Sequence, residues 1–165
     1  IKYLVDTLAM SYQYQTPGYA KAPTALCEAA EKYIIEKKPE LLAICFEEPD
    51  HTGHTKGHDT PAYYQMLKEL DGYVERILQA IKKAGIWDDT IIIMTADHGG
   101  IKTGHGGKTL REMEIPFIIS GKNVRKGMEI KESMMQYDVA STIAYIFGLK
   151  QPQVWIGRPM KQVFK

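Results

Sequence analysis

The sequence predicts an α/β fold, layered α/β/α around a mostly parallel sheet. Three observations carry that expectation. Six-residue apolar runs at 41–46, 90–95 and 115–120 have the length of buried strands, and the last two are rich in β-branched residues. Segments with helical spacing alternate with them. The 165 residues contain no internal repeat, low-complexity tract or linker, so one domain is expected.

Taken in order, residues 1–21 are polar and aromatic with weak periodicity, and Thr16-Pro17-Gly18 reads as a turn. Leu26, Ala30, Tyr33, Ile34 and Lys37 predict a helix from about Pro23 to Lys38, which Pro39 stops. Leu41-Leu42-Ala43-Ile44-Cys45-Phe46 then reads as a buried parallel strand. The next helix has the strongest local pattern. Thr60 can cap it, Pro61 suits its first turn, and Tyr63, Met66, Leu67, Leu70, Val74, Ile77, Leu78 and Ile81 keep a 3/4 spacing up to Gly85. Thr90–Thr95 is a second strand. Ile115–Ser120 is a third, with Pro116 removing a ladder bond or placing it near an edge. A last helix is expected from about Asp138 to Phe147, ended by Gly148.

Composition excludes several roles. Lys+Arg is 21 and Asp+Glu 20, so there is no basic excess for coating nucleic acid or a membrane surface. No apolar run reaches the roughly 18 residues of a membrane span. Cys27 and Cys45 do not make a disulfide scaffold. The chain starts at Ile1 without a charged-then-apolar leader, so a processed protein or a piece of a longer one is expected.

All five histidines (His51, His54, His58, His98, His105) fall between positions 51 and 105, a third of the chain that an even scatter would give fewer than two. Histidine is the commonest metal ligand and a near-neutral acid–base group. Three constellations contain them. Asp50-His51-Thr52-Gly53-His54 follows the first strand, where ligands gather in open α/β sheets. An Asp with a His four residues later, after a flexible glycine, can turn two donors onto one ion. Ala96-Asp97-His98-Gly99-Gly100 follows the second strand, and Gly104-His105-Gly106-Gly107 lies in a glycine-rich loop. Each alone is also accounted for by turn capping, loop bends and solvated histidines. Together, five donors at one end of a sheet suit a two-metal centre that activates a nucleophile and clamps the reacting oxygens.

Pro49-Asp50-x-x-Gly53-His54, Ala96-Asp97-His98-Gly99 and Gly104-His105-Gly106 resemble the downstream metal motifs of the alkaline phosphatase superfamily, in its type I phosphodiesterase/nucleotide pyrophosphatase branch. Asp138-Val139-Ala140-Ser141-Thr142-Ile143 and Gly157-Arg158-Pro159-Met160 extend the likeness over roughly residues 24–164. The resemblance implies an alkaline phosphatase-like fold, of which this chain is the C-terminal part of the catalytic domain. It implies two zinc ions in the complete protein: Asp50, His54 and His105 on one, with Asp97 and His98 as part of the second site. It also implies a small-molecule phosphate ester as substrate, hydrolysis in two steps through a Thr or Ser nucleophile, and a periplasmic or extracellular setting. That nucleophile and an upstream Asp are expected outside this chain, because Thr7, Ser11, Thr16 and Thr24 lack the surroundings of the nucleophile motif. The chain alone is therefore expected to be inactive.

Two departures and three alternatives accompany this reading. His58 stands where relatives commonly carry Pro, and is read either as a substrate-side group or as a surface-loop histidine; His51 has no assigned role. Cys27 precedes Glu-Ala-Ala and Cys45 precedes Phe-Glu-Glu, so neither fits the C-x-P-x-R context of a sulfatase nucleophile. The alternatives are another branch (sulfatase, phosphonate hydrolase or phosphoethanolamine transferase), a non-catalytic metal-binding module, and an apolar-core domain without metal.

Overall fold

A computed structural model of the chain describes residues 22–165. The turn expected at Thr16-Pro17-Gly18, and Thr7 and Ser11, lie outside them. The described residues form two compact units, one from 22–87 and 100–112, the other from 88–99 and 113–165. Among them no helix is long and apolar enough to cross a membrane.

The first unit is helical. Helix α1 (Ala22–Lys37) ends where Lys38 takes a positive φ ahead of Pro39. A short helix α2 covers Glu48–Lys56, and the long helix α3 Pro61–Lys83. Thr60 caps α3 by accepting a hydrogen bond from the Tyr63 amide. Gly85, at φ +71°, closes it: the Gly85 amide donates to Lys82 and the Ile86 amide to Ile81. Cys27, Ala30 and Ile34 on α1, and Met66, Ala80 and Ile81 on α3, are buried. The two helices are joined by the Glu31 carboxylate, which receives Nε and Nη2 of Arg76 at 3.0 and 2.6 Å, and by a 2.8 Å hydrogen bond between the Thr24 and Tyr73 hydroxyls.

The second unit holds the sheet. Strands β1 (Ile91–Thr95) and β2 (Phe117–Gly121) pair antiparallel, with Ile91 opposite Gly121 and Thr95 opposite Phe117. Strand β2 begins just after Pro116, so the ladder loses nothing to the proline. Helix α5 (Asp138–Ile146) is hydrogen-bonded to the C-terminal segment. There the Asp138 carboxylate, 1% exposed, accepts the Met135 and Arg158 amides at 2.8 and 2.7 Å. The Thr142 hydroxyl accepts the Met160 amide at 3.0 Å.

One expectation is corrected, and another is met only in part. Residues 41–46 are not a strand. Leu41 and Leu42 are 61% and 37% exposed, and Phe46 instead stacks on Tyr73 with ring centroids 5.9 Å apart. A strand needs a ladder partner, which an apolar run cannot supply for itself. The mostly parallel sheet is also not what the described residues form, since their one sheet is a two-stranded antiparallel pair. A parallel pair needs a crossover, usually helical. Between β1 and β2 the only helix is the single turn α4 (Leu110–Met113).

Candidate metal centre

The Asp50–His54 stretch, expected as a bend around Gly53, is helical. Both residues lie on α2, one turn apart, so their side chains share a face. Pro49 falls in the first turn, where its missing N–H costs nothing, and Asp50 there is favoured by the helix dipole. His105 reaches the same point from the loop after a two-residue turn, in which Ile101 and Gly104 exchange backbone hydrogen bonds of 3.0 Å.

Three donor atoms converge. His54 Nε2 and His105 Nε2 are 3.1 Å apart, and each is 3.3 Å from Asp50 Oδ1. His54 Nδ1 lies 2.9 Å from the Thr103 carbonyl, which can only accept, so Nδ1 carries the proton. In the neutral imidazole the Nε2 lone pair then faces the other two donors. The triangle fits a metal. A tetrahedral shell with bonds of about 2.0 Å has edges of about 3.3 Å. The Thr103 carbonyl also does what partners of metal-bound histidines generally do, fixing tautomer and ring orientation. Two of three donors are imidazole nitrogens, a set that suits zinc better than calcium or magnesium. His54 and His105 are exposed and Asp50 half-buried, so the group opens to solvent.

Asp97 and His98 belong to the second unit. They follow β1 and pair with each other, His98 Nε2 being 3.6 Å from Asp97 Oδ2 and the His98 amide donating to Asp97 Oδ1 at 3.1 Å. His98 Nδ1 donates to the Gly99 carbonyl at 2.8 Å, and Gln136 holds the Asp97 carbonyl.

Several residues near the triad were not read as site residues from the sequence. Burial, with the Asp50 charge adding to it, pushes the Tyr63 hydroxyl above its ordinary value, and burial raises Glu48 at the start of α2. Glu112 staples the loop beyond His105. Its carboxylate accepts the Gly107 amide at 2.8 Å and the Thr109 hydroxyl and amide at 2.5 and 3.3 Å, and these bonds hold it below the usual carboxylate range. A depressed carboxylate stabilises the fold above its unfolded pKa, and that contribution is lost as pH falls through the folded value. Amide exchange at Gly107 and Thr109 is therefore expected to be faster in Glu112→Gln than in wild type at neutral pH. The difference should shrink as the pH falls below the ordinary carboxylate range and Glu112 takes up its proton. A constant difference across that range would show that the carboxylate is not the staple. A glutamate three residues after a threonine, Thr109-x-x-Glu112, is a capping-box pattern that could have revealed this contact.

The sequence profile of type I phosphodiesterase / nucleotide pyrophosphatase matches residues 3–133. The chain belongs to that family. As a member of the alkaline phosphatase superfamily it has relatives with differing names. The catalytic subunit of human GPI ethanolamine phosphate transferase 2 is 30% identical over 159 residues, covering 87% of this chain and 16% of the relative. The phosphopentomutase of Herpetosiphon aurantiacus is 38% identical over 129 residues, covering 78% of this chain and 31% of the relative. In fold, the chain is similar to a sulfatase candidate from Bacteroides thetaiotaomicron whose crystal structure aligns with a TM-score of 0.67 at 14% identity, covering 93% of this chain and 48% of that one. The chain thus spans less than a third of these two curated relatives.

Proposed function

We propose that this phosphodiesterase-family chain is the metal-holding, C-terminal part of a single catalytic domain that hydrolyses small-molecule phosphate esters, phosphodiesters or nucleotide pyrophosphates. Asp50, His54 and His105 hold one zinc ion, and Asp97 and His98 contribute to a second. The nucleophilic Thr or Ser and a further Asp come from residues outside this chain. In the whole domain, β1 and β2 belong to a larger, mostly parallel sheet. The observation that carries the reading is the triangle of Asp50 Oδ1, His54 Nε2 and His105 Nε2, with edges of 3.1–3.3 Å.

The chain's residues divide the work. Asp50 brings one negative charge and the two imidazoles none, so a dication among them keeps a net positive charge toward an anionic ester. Three protein donors leave a position open, as catalytic zinc sites do. Thr103 keeps the His54 lone pair aimed inward, and Glu112 keeps the His105 loop in place. When bound, zinc supplies Lewis-acid stabilisation of charge developing on phosphoryl oxygens.

The test is the zinc content of the chain by elemental mass spectrometry, after loading and dialysis. About one ion per chain is expected, lost in Asp50→Ala and in His105→Ala. No retained zinc, or retention unaffected by both substitutions, would overturn the assignment. On a longer protein carrying this chain, phosphodiester turnover above phosphomonoester and sulfate ester is expected. Sulfate ester turnover alone would place the protein in a sulfatase branch.

A further inference from the structure

His58 lies four residues beyond His54, just past the end of α2 at Gly57. Its half-buried ring is held on several sides. Its Nδ1 donates to the Lys102 carbonyl at 3.1 Å, and its own amide donates to the same oxygen at 2.6 Å. Tyr63 lies against the ring with centroids 5.3 Å apart. Gly53 of α2 and Gly100 at the start of the His105 loop both abut the imidazole. A Cβ at either glycine would lie 2.2 Å from His58 Nε2, far inside contact distance.

Neither glycine has the positive φ that would otherwise explain its lack of a side chain. Gly53 sits within a helix, where it costs about 1 kcal/mol relative to Ala. At both positions the three atoms nearest to such a Cβ all belong to the His58 imidazole, which gives each a reason to be bare. Lys102, which His58 grips, is itself in the left-handed region at φ 53°, an unfavourable conformation for lysine that needs outside support. The next carbonyl, that of Thr103, is the one His54 binds, and His105 follows two residues later. Successive carbonyls of one turn are thus taken by two histidines four residues apart, one on α2 and one just beyond it.

We infer that His58 is a positioning residue, an imidazole wedge that locks the 100–105 turn onto α2 and so sets the meeting of His105 with Asp50 and His54. The inference rests on the proposed metal site for its functional meaning, but the wedge itself has a metal-independent signature.

Two readouts on the full chain separate them: amide exchange at Ile101 and Gly104 without metal, and zinc affinity by calorimetry. His58→Ala is expected to speed exchange at both amides and to weaken zinc binding about 10- to 100-fold, the usual cost of losing a group that orients a ligand. His58→Asn, which keeps a donor near the Lys102 carbonyl, should recover part of both. Gly100→Ala should weaken zinc binding about tenfold with His58 present, yet have no effect in the His58→Ala background, where its methyl group has room. Exchange and affinity unchanged in His58→Ala, or a Gly100→Ala effect equal in both backgrounds, would overturn the wedge. If the wild-type chain takes no zinc, the metal reading fails while the exchange data still decide the wedge.

Discussion

Replacing Asp50, His54 or His105 by Ala is expected to lower kcat/KM at least about 1,000-fold in a longer enzyme that carries this chain, or roughly 4 kcal/mol of transition-state stabilisation. The three donors form a nearly equilateral set, so deleting any one leaves two, too few to fix an ion. The substitutions are not equivalent. Asp50 supplies the group's one carboxylate, so Asp50→Asn separates charge from donation: it keeps an oxygen at the same place and should retain some zinc. His54→Ala also frees the Thr103 carbonyl, and with it part of the hold on the turn. It should therefore speed exchange at Ile101 and Gly104, which Asp50→Ala should leave alone. Activity within about threefold of wild type in all three alanine variants would remove the triad from the chemistry.

That Asp50, His54 and His105 come together was legible from an Asp four residues before a His and from the glycines around His105, which mark a tight loop. What held them was less so. Gly53 read as a flexible bend, whereas it is a helical residue kept small by His58. What holds His58 there lies 42 to 44 residues beyond it, at Gly100 and Lys102, and no local pattern reports it. His58 was accordingly left between a substrate-side and a surface role, and its ring is instead packed.

The same division between local and distant causes runs through the fold. Thr60 and Gly85 bound α3 as expected, because caps act within a few residues. β1 and β2 were recognisable from β-branched runs. Their antiparallel pairing was not, since strand direction depends on how the connection returns. The run 41–46 failed for a related reason. Apolar composition favours burial, but a strand exists only where another backbone meets it.

Asp138→Ala is expected to destabilise the chain by about 3–5 kcal/mol, lowering its melting temperature by roughly 6–20 °C. Asp138 is 1% exposed and its two oxygens each accept a backbone amide, that of Met135 before α5 and that of Arg158 in the C-terminal segment. Hydrogen bonds to a charged group contribute about 1.5–3 kcal/mol each, and alanine strands both amides. Thr142 makes a parallel link one turn later, donating to the Asp138 carbonyl while accepting from Met160. Gly157 lets this happen, because a Cβ there would meet Ser141 Oγ at 2.4 Å and the Tyr137 carbonyl at 2.5 Å. The Asp138–Ile143 and Gly157–Met160 stretches, which first read as part of a family signature, therefore owe their pairing to structure. Asp138→Asn should not be benign. Its amide oxygen can replace one acceptor, but its NH2 then faces a backbone N–H, so at least half the loss is expected. A wild-type melting temperature in Asp138→Ala would show that the C-terminal segment is held by its apolar contacts, Met160 and Val163, rather than by the buried carboxylate.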